Sequence, residues 1–215
     1  MGKIKAIIFD MDGVLIEAKE WHYEALNKAL KLFGMEISRY DHLVTYDGLP
    51  TKDKLKMLSM EKGLPEELHG FINKMKQIYT TEMVHANCKP VFYHQYALSK
   101  LANEGYKMAV CSNSVRNTVE LMMEKSKLME YLEFYLSNQD VKKAKPDPEI
   151  YTTAINRLGL TPEECLIVED NEHGLKAAMA SNAHVLRVYS VSDVNYQNIK
   201  SKINEIEGSL KCLTY

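Results

Sequence analysis

Ala6-Ile7-Ile8-Phe9-Asp10-Met11-Asp12-Gly13 is the stretch whose reading decides the fold. The apolar run Ile4–Phe9 shows almost no alternation, which is the pattern of a strand buried on both faces of a parallel sheet. It stops abruptly at two acids and a glycine. The same grammar recurs downstream. Met108–Cys111 stops at Ser112-Asn113-Ser114, and Leu166–Val168 stops at Glu169-Asp170-Asn171. Phe134–Leu136 and Val185–Val188 read as two further strands, with Lys145-Pro146-Asp147-Pro148 following the first of them.

Amphipathic helical patterns with ordinary boundary signals separate these runs. Phe92–Asn103 ends at Gly105, Pro148–Leu158 ends at Gly159, and Thr161-Pro162-Glu163-Glu164 spells a capping box that predicts a helix start. Alternation of strands and helices predicts an α/β fold, a Rossmann-like parallel sheet covered on both faces. One segment departs from it. Between residues 17 and 86 no strand pattern occurs. Trp21, Ala25, Ala29 and Phe33 recur every four residues up to Gly34, a second helix is expected from Thr51 to Gly63, and a third from Pro65 towards His85. The expected organisation is a core of residues 1–16 and 87–215 with an inserted helical cap at 17–86.

Composition narrows the classes of function. The 215 residues are 46% hydrophobic and 26% charged, with a formal net charge of −2. A chain of this kind folds on a sizeable core and offers no broad basic field for nucleic acid or an anionic membrane. No stretch has the length or apolarity of a membrane span or of a signal-peptide core, and Met1-Gly2 lacks the downstream Ser or Thr of a myristoylation signal. Cys88, Cys111, Cys165 and Cys212 form no C-x-x-C pair, which argues against zinc and for reduced thiols in a cytoplasmic protein. A monomer or weak dimer is expected, with neither nucleic-acid nor membrane partners.

In a parallel sheet the polar strand ends lie along one edge, so Asp10, Asp12, Ser112, Asn113, Lys145, Glu169 and Asp170 can converge. A carboxylate can attack phosphorus and form an aspartyl-phosphate. The anionic nucleophile and the anionic phosphate need a neutralising charge between them, supplied by magnesium on carboxylates and by a lysine. A second carboxylate nearby can shuttle the protons.

Phe9-Asp10-Met11-Asp12-Gly13-Val14-Leu15 resembles the first motif of the haloacid dehalogenase superfamily, and the other three clusters resemble its second, third and fourth motifs in order. The resemblance spans nearly the whole chain. The helical insertion is similar to the cap of the β-phosphoglucomutase and phosphoglycolate phosphatase branch. The resemblance implies Asp10 as nucleophile and magnesium ligand, and Asp12 as general acid/base that also gives its backbone carbonyl to the metal. It implies Ser112 and Lys145, with Asn113 nearby, as phosphoryl-binding groups. Asp170 is implied as a metal ligand, as is Glu169, directly or through water. The expected activity is magnesium-dependent hydrolysis of a small phosphorylated metabolite such as a sugar phosphate, with a β-phosphoglucomutase-type isomerase as the rival reading. His22 and Lys52 are candidate substrate contacts in the insertion. For each, a structural role stands beside the functional one: a satisfied core histidine, and a solvated lysine at a helix start. The mutase reading also wants a cap lysine, for which Lys74 and Lys76 are the candidates, their register left open by the sequence.

Overall fold

The computed structural model describes residues 3–212, with side chains described through residue 208; Met1-Gly2 and the Cys212 side chain lie outside the described residues. The chain divides into two compact units, one of Met1–Glu17 with Lys89–Tyr215 and the other of Ala18–Cys88.

The first unit is built on five parallel strands, β1 (Ala6–Phe9), β2 (Lys107–Cys111), β3 (Phe134–Leu136), β4 (Cys165–Glu169) and β5 (His184–Arg187), in the order β3-β2-β1-β4-β5. β1 is the central strand, pairing Ile7 with Met108 on one side and with Leu166 on the other. Its four residues are fully buried, which is why the run is apolar without alternation. One core cluster joins Ala6, Ile8, Cys111, Leu136 and Ile167 of the strands to Ile150, Tyr151, Ala154, Ala177 and Ala178. The last five lie on α7 (Glu149–Leu158) and α8 (Glu172–Ala180). The unit also contains α5 (Phe92–Asn103), α6 (Arg116–Lys125) and α9 (Tyr196–Cys212). The capping box at Thr161–Glu164 is present, but it closes a single 3-10 turn and not the predicted helix. The residues that follow it are the apolar run of β4, whose pairing with β1 and β5 outweighs the local helix signal. Cys111 and Cys165 are buried free thiols; burial pushes both up to about 12, so they are inert.

The second unit is helical: α1 (Lys19–Lys31), the single turn α2 (Arg39–Asp41), α3 (Thr51–Lys62) and α4 (His69–Asn87). Leu26, Ala29 and Leu30 of α1 pack with Leu55 and Leu58 of α3 and Ile72 of α4. The predicted α1 stripe runs one turn too far. The helix stops at Lys31, and Phe33 is 39% exposed, edge-on to Phe71. The third helix starts later than Pro65 because Glu66–Leu68 forms a 3-10 turn first. Residues 35–50 carry structure that the hydrophobic pattern does not reveal. The Asn27 amide exchanges two hydrogen bonds with the backbone of Ile37, at 2.9 and 2.8 Å, and His42–Tyr46 forms a π-helical turn. Among the described residues no helix is long and apolar enough to cross a membrane.

Candidate active site

Three of the four polar clusters stand where a strand ends. Asp10 follows β1 directly, its backbone N–H still donating to Val168 of β4 at 3.0 Å. The chain then doubles back within Met11–Ile16. Leu15 and Ile16 both donate to the Met11 carbonyl, and Gly13 donates to Ile16 at φ 88°, a conformation that favours glycine. Ser112 follows β2, Glu169 is the last residue of β4, and Asp170 follows it. The sheet order therefore gathers three strand ends that stand far apart in sequence.

The centre of the site is Lys145. It is 3% exposed, and its ammonium donates to Asp10 Oδ1 at 2.6 Å, to Glu169 Oε1 at 2.6 Å and to the Cys111 carbonyl at 2.9 Å. Burial pulls its pKa down, but the contacts with Asp10 and Glu169 outweigh it, so Lys145 stays protonated. The Lys145 backbone is fixed from both sides by the Asn113 amide, which accepts from Lys145 N at 3.0 Å and donates to its carbonyl at 3.2 Å. Asn113, expected beside the phosphoryl group, thus serves here to hold the lysine.

Burial pushes the Asp10 carboxyl well above the usual carboxylate range. Lys145 opposes that shift, while Glu169, Asp170 and Asp12 add to it. Asp10 and Glu169 share the one Lys145 ammonium, and Asp170 and Asp12 add negative charge around Asp10. Asp10, Glu169 and Asp170 each present an oxygen, and these oxygens all lie within 4.8 Å of one another. An all-oxygen, carboxylate-rich set of this kind suits magnesium.

Asp12 lies beside this group and is held by hydroxyls. Ser114 donates to its Oδ2 at 2.9 Å and Ser112 at 3.4 Å, while Ser114 N donates to the Ser112 hydroxyl at 3.0 Å. Glu169 is fully buried. Its Oε1 accepts from Lys145 and from the Tyr151 hydroxyl at 2.7 Å, and its Oε2 accepts from the backbone of Asp170 at 3.0 Å and Asn171 at 3.5 Å.

The sequence profile of the haloacid dehalogenase-like hydrolases matches residues 7–188. This chain belongs to that family. Among its relatives is the phosphorylated carbohydrates phosphatase of Thermotoga maritima, 26% identical over 87% of this chain and 85% of its own length. The pyrophosphatase PpaX of Oceanobacillus iheyensis is 27% identical over 90% of this chain and 87% of its own. Solved structures of the same fold include a β-phosphoglucomutase from Clostridium difficile, with a TM-score of 0.83 at 21% identity over 95% of this chain and 99% of that one. A predicted phosphoglycolate phosphatase from Haemophilus somnus has a TM-score of 0.76 at 19% identity over 94% and 98%.

The two candidates in the helical unit fare differently. His22 of α1 meets Lys76 of α4, Nδ1 to Nζ, at 3.1 Å. Of the two lysines whose register the sequence leaves open, Lys76 is 7% exposed and Lys74 is exposed. Lys52 is exposed, and the buried lysine of α3 is Lys54. His42 is also buried, and neither of its ring nitrogens has a hydrogen-bond partner. Burial lowers its pKa to about 4, helped by Lys54, His22 and Arg39 and opposed by Asp47. The sequence reading missed the roles of Ser114 and Tyr151. Ser114 stands in the quoted Ser112-Asn113-Ser114 cluster, and Tyr151 gives one available signal, a phenol on an apolar helix face, which needs a polar partner when buried.

Proposed function

We propose that this phosphatase hydrolyses a small phosphorylated metabolite, a sugar phosphate, through a phosphorylated Asp10, with magnesium. The observation that carries the reading is the shared ammonium of Lys145, at 2.6 Å from both Asp10 and Glu169, beside an Asp12 held by two serine hydroxyls. Asp10 attacks phosphorus, and the bond to the leaving oxygen breaks as Asp12 gives that oxygen its proton. Water then attacks the phosphorus of phospho-Asp10, Asp12 takes the water's proton, and inorganic phosphate leaves with Asp10 restored. Lys145 and the Ser112 hydroxyl steady the charge that gathers on the phosphoryl oxygens. Magnesium, when bound by Asp10, Asp170, Glu169 and the Asp12 carbonyl, neutralises nucleophile and phosphate together.

His22, which meets Lys76 within the helical unit, and Lys52 are kept as our candidate contacts for the non-reacting part of the substrate. A sugar phosphomutase would use a lysine of the helical unit, for which Lys74 and Lys76 are the candidates, so that reading is kept as the second. The test is a panel of sugar phosphates, pyrophosphate included, assayed for phosphate release with magnesium and with chelator, beside Asp10→Asn. Magnesium-dependent release from a sugar phosphate is expected, with activity in Asp10→Asn lower by orders of magnitude. Full activity in chelator, or in Asp10→Asn, would refute the mechanism. Conversion of β-glucose 1-phosphate to glucose 6-phosphate with little free phosphate would establish the mutase.

A further inference from the structure

Tyr151 lies under the reacting groups and belongs to none of the four motifs. It projects from α7 into the core and is fully buried. Its hydroxyl donates to Glu169 Oε1 at 2.7 Å, the same oxygen that accepts from Lys145, and its ring lies 4.6 Å from the Lys145 ammonium. One side chain therefore touches both partners of the buried ion pair, by a charge-assisted hydrogen bond to the anion and a cation–π contact to the cation.

We propose that Tyr151 is a positioning residue: its hydroxyl fixes Glu169 and its ring steadies Lys145, so that the ammonium stays divided between Glu169 and Asp10. Without the hydroxyl, Oε1 would accept from Lys145 alone. The ammonium would be drawn towards Glu169, Asp10 would lose part of its counter-charge, and the carboxylate would be free to turn about its remaining backbone contacts. Glu169 belongs to the oxygen set assigned to magnesium, so the same loosening weakens metal uptake. The inference rests on the magnesium phosphatase reading above.

The experiment is calorimetric titration of substrate-free protein with magnesium, for the wild type, Tyr151→Phe and Tyr151→Leu. Thermal midpoints and kcat/KM on the best panel substrate are measured beside it. Loss of a hydrogen bond to a charged group predicts a magnesium Kd about tenfold weaker in Tyr151→Phe, with kcat/KM falling by a similar factor. Tyr151→Leu, which also loses the ring, should be weaker again. Wild-type magnesium affinity in Tyr151→Phe would overturn the inference whatever the activity. So would a Tyr151→Phe chain that fails to fold, because the hydroxyl would then serve the core. A wild-type chain that takes up no magnesium would overturn the metal assignment as well, and the substrate panel remains a separate test.

Discussion

Gly174 offers a sharp test of how tightly the site is held. It sits in the first turn of α8, where its N–H donates to the Asn171 side chain that caps the helix. A Cβ built there would lie 1.8 Å from Glu169 Oε1 and 2.3 Å from Oε2, with Oε1 already bonded to Lys145 and Tyr151. Ordinary contact needs about 3.5 Å, so in Gly174→Ala the carboxylate would have to move by more than about 1 Å. Hydrogen bonds of 2.6 and 2.7 Å cannot survive such a shift intact. Overpacking costs about 1–3 kcal/mol, the weakened charged hydrogen bonds about 1.5 kcal/mol or more, and the gain in helix propensity returns up to about 1 kcal/mol. The net expectation is a loss of about 3 kcal/mol, or roughly 6–12 °C in the thermal midpoint for a chain of this size. The assay is calorimetric unfolding beside magnesium-dependent turnover, which should fall at least tenfold. Gly70→Ala is the control, since a Cβ at that helical glycine meets nothing within 4 Å and should be neutral or slightly stabilising. A Gly174→Ala enzyme with wild-type midpoint and turnover would refute the reasoning.

Two further outcomes follow from the geometry. Ser114→Ala removes the 2.9 Å hydrogen bond that orients Asp12, so kcat should fall about three- to tenfold with KM unchanged; an unaltered kcat would show that the Ser112 contact suffices. His42 has a folded-state pKa near 4 against 6.5 in the unfolded chain, among Lys54, Asp47, His22 and Arg39, so between these values the unfolded state binds the extra proton. Stability should therefore fall as pH drops through that window, by about 2 kcal/mol once partial solvation of the charge is allowed for. Urea melts across pH 4–7 should show a flatter dependence in His42→Leu, and an identical slope in both proteins would remove His42 from the account.

Much of the core could be read directly because its signals are local. A continuous apolar run that halts at Asp10, at Ser112 or at Glu169 announces both a buried strand and its functional end. What stayed hidden depends on register or on distant partners. Lys52 and Lys54 are two residues apart on one helix, and only packing shows that the second is the buried one. Tyr151 shares its helix face with Ile150, Ala154 and Ile155, and nothing in that pattern says that its hydroxyl meets Glu169. The turns between residues 35 and 50 rest on single hydrogen bonds, such as those of Asn27, rather than on any period. The capping box at Thr161 was legible, but the strand after it was the stronger claimant.

The central place of β1 also bears on how the chain acquires its structure. The residue opposite Ala6 on one side is Lys107 and on the other Cys165. During synthesis Ile7, Ile8 and Phe9 leave the ribosome before the strands that bury them, and both of those strands arrive only after the helical unit. Ala18–Cys88 can meanwhile complete its own internal contacts. Closing so long a loop adds little to the equilibrium cost, because loop entropy grows only with the logarithm of length. The burden is kinetic: a four-residue apolar strand waits without neighbours, open to mispairing, until β2 and β4 are both available.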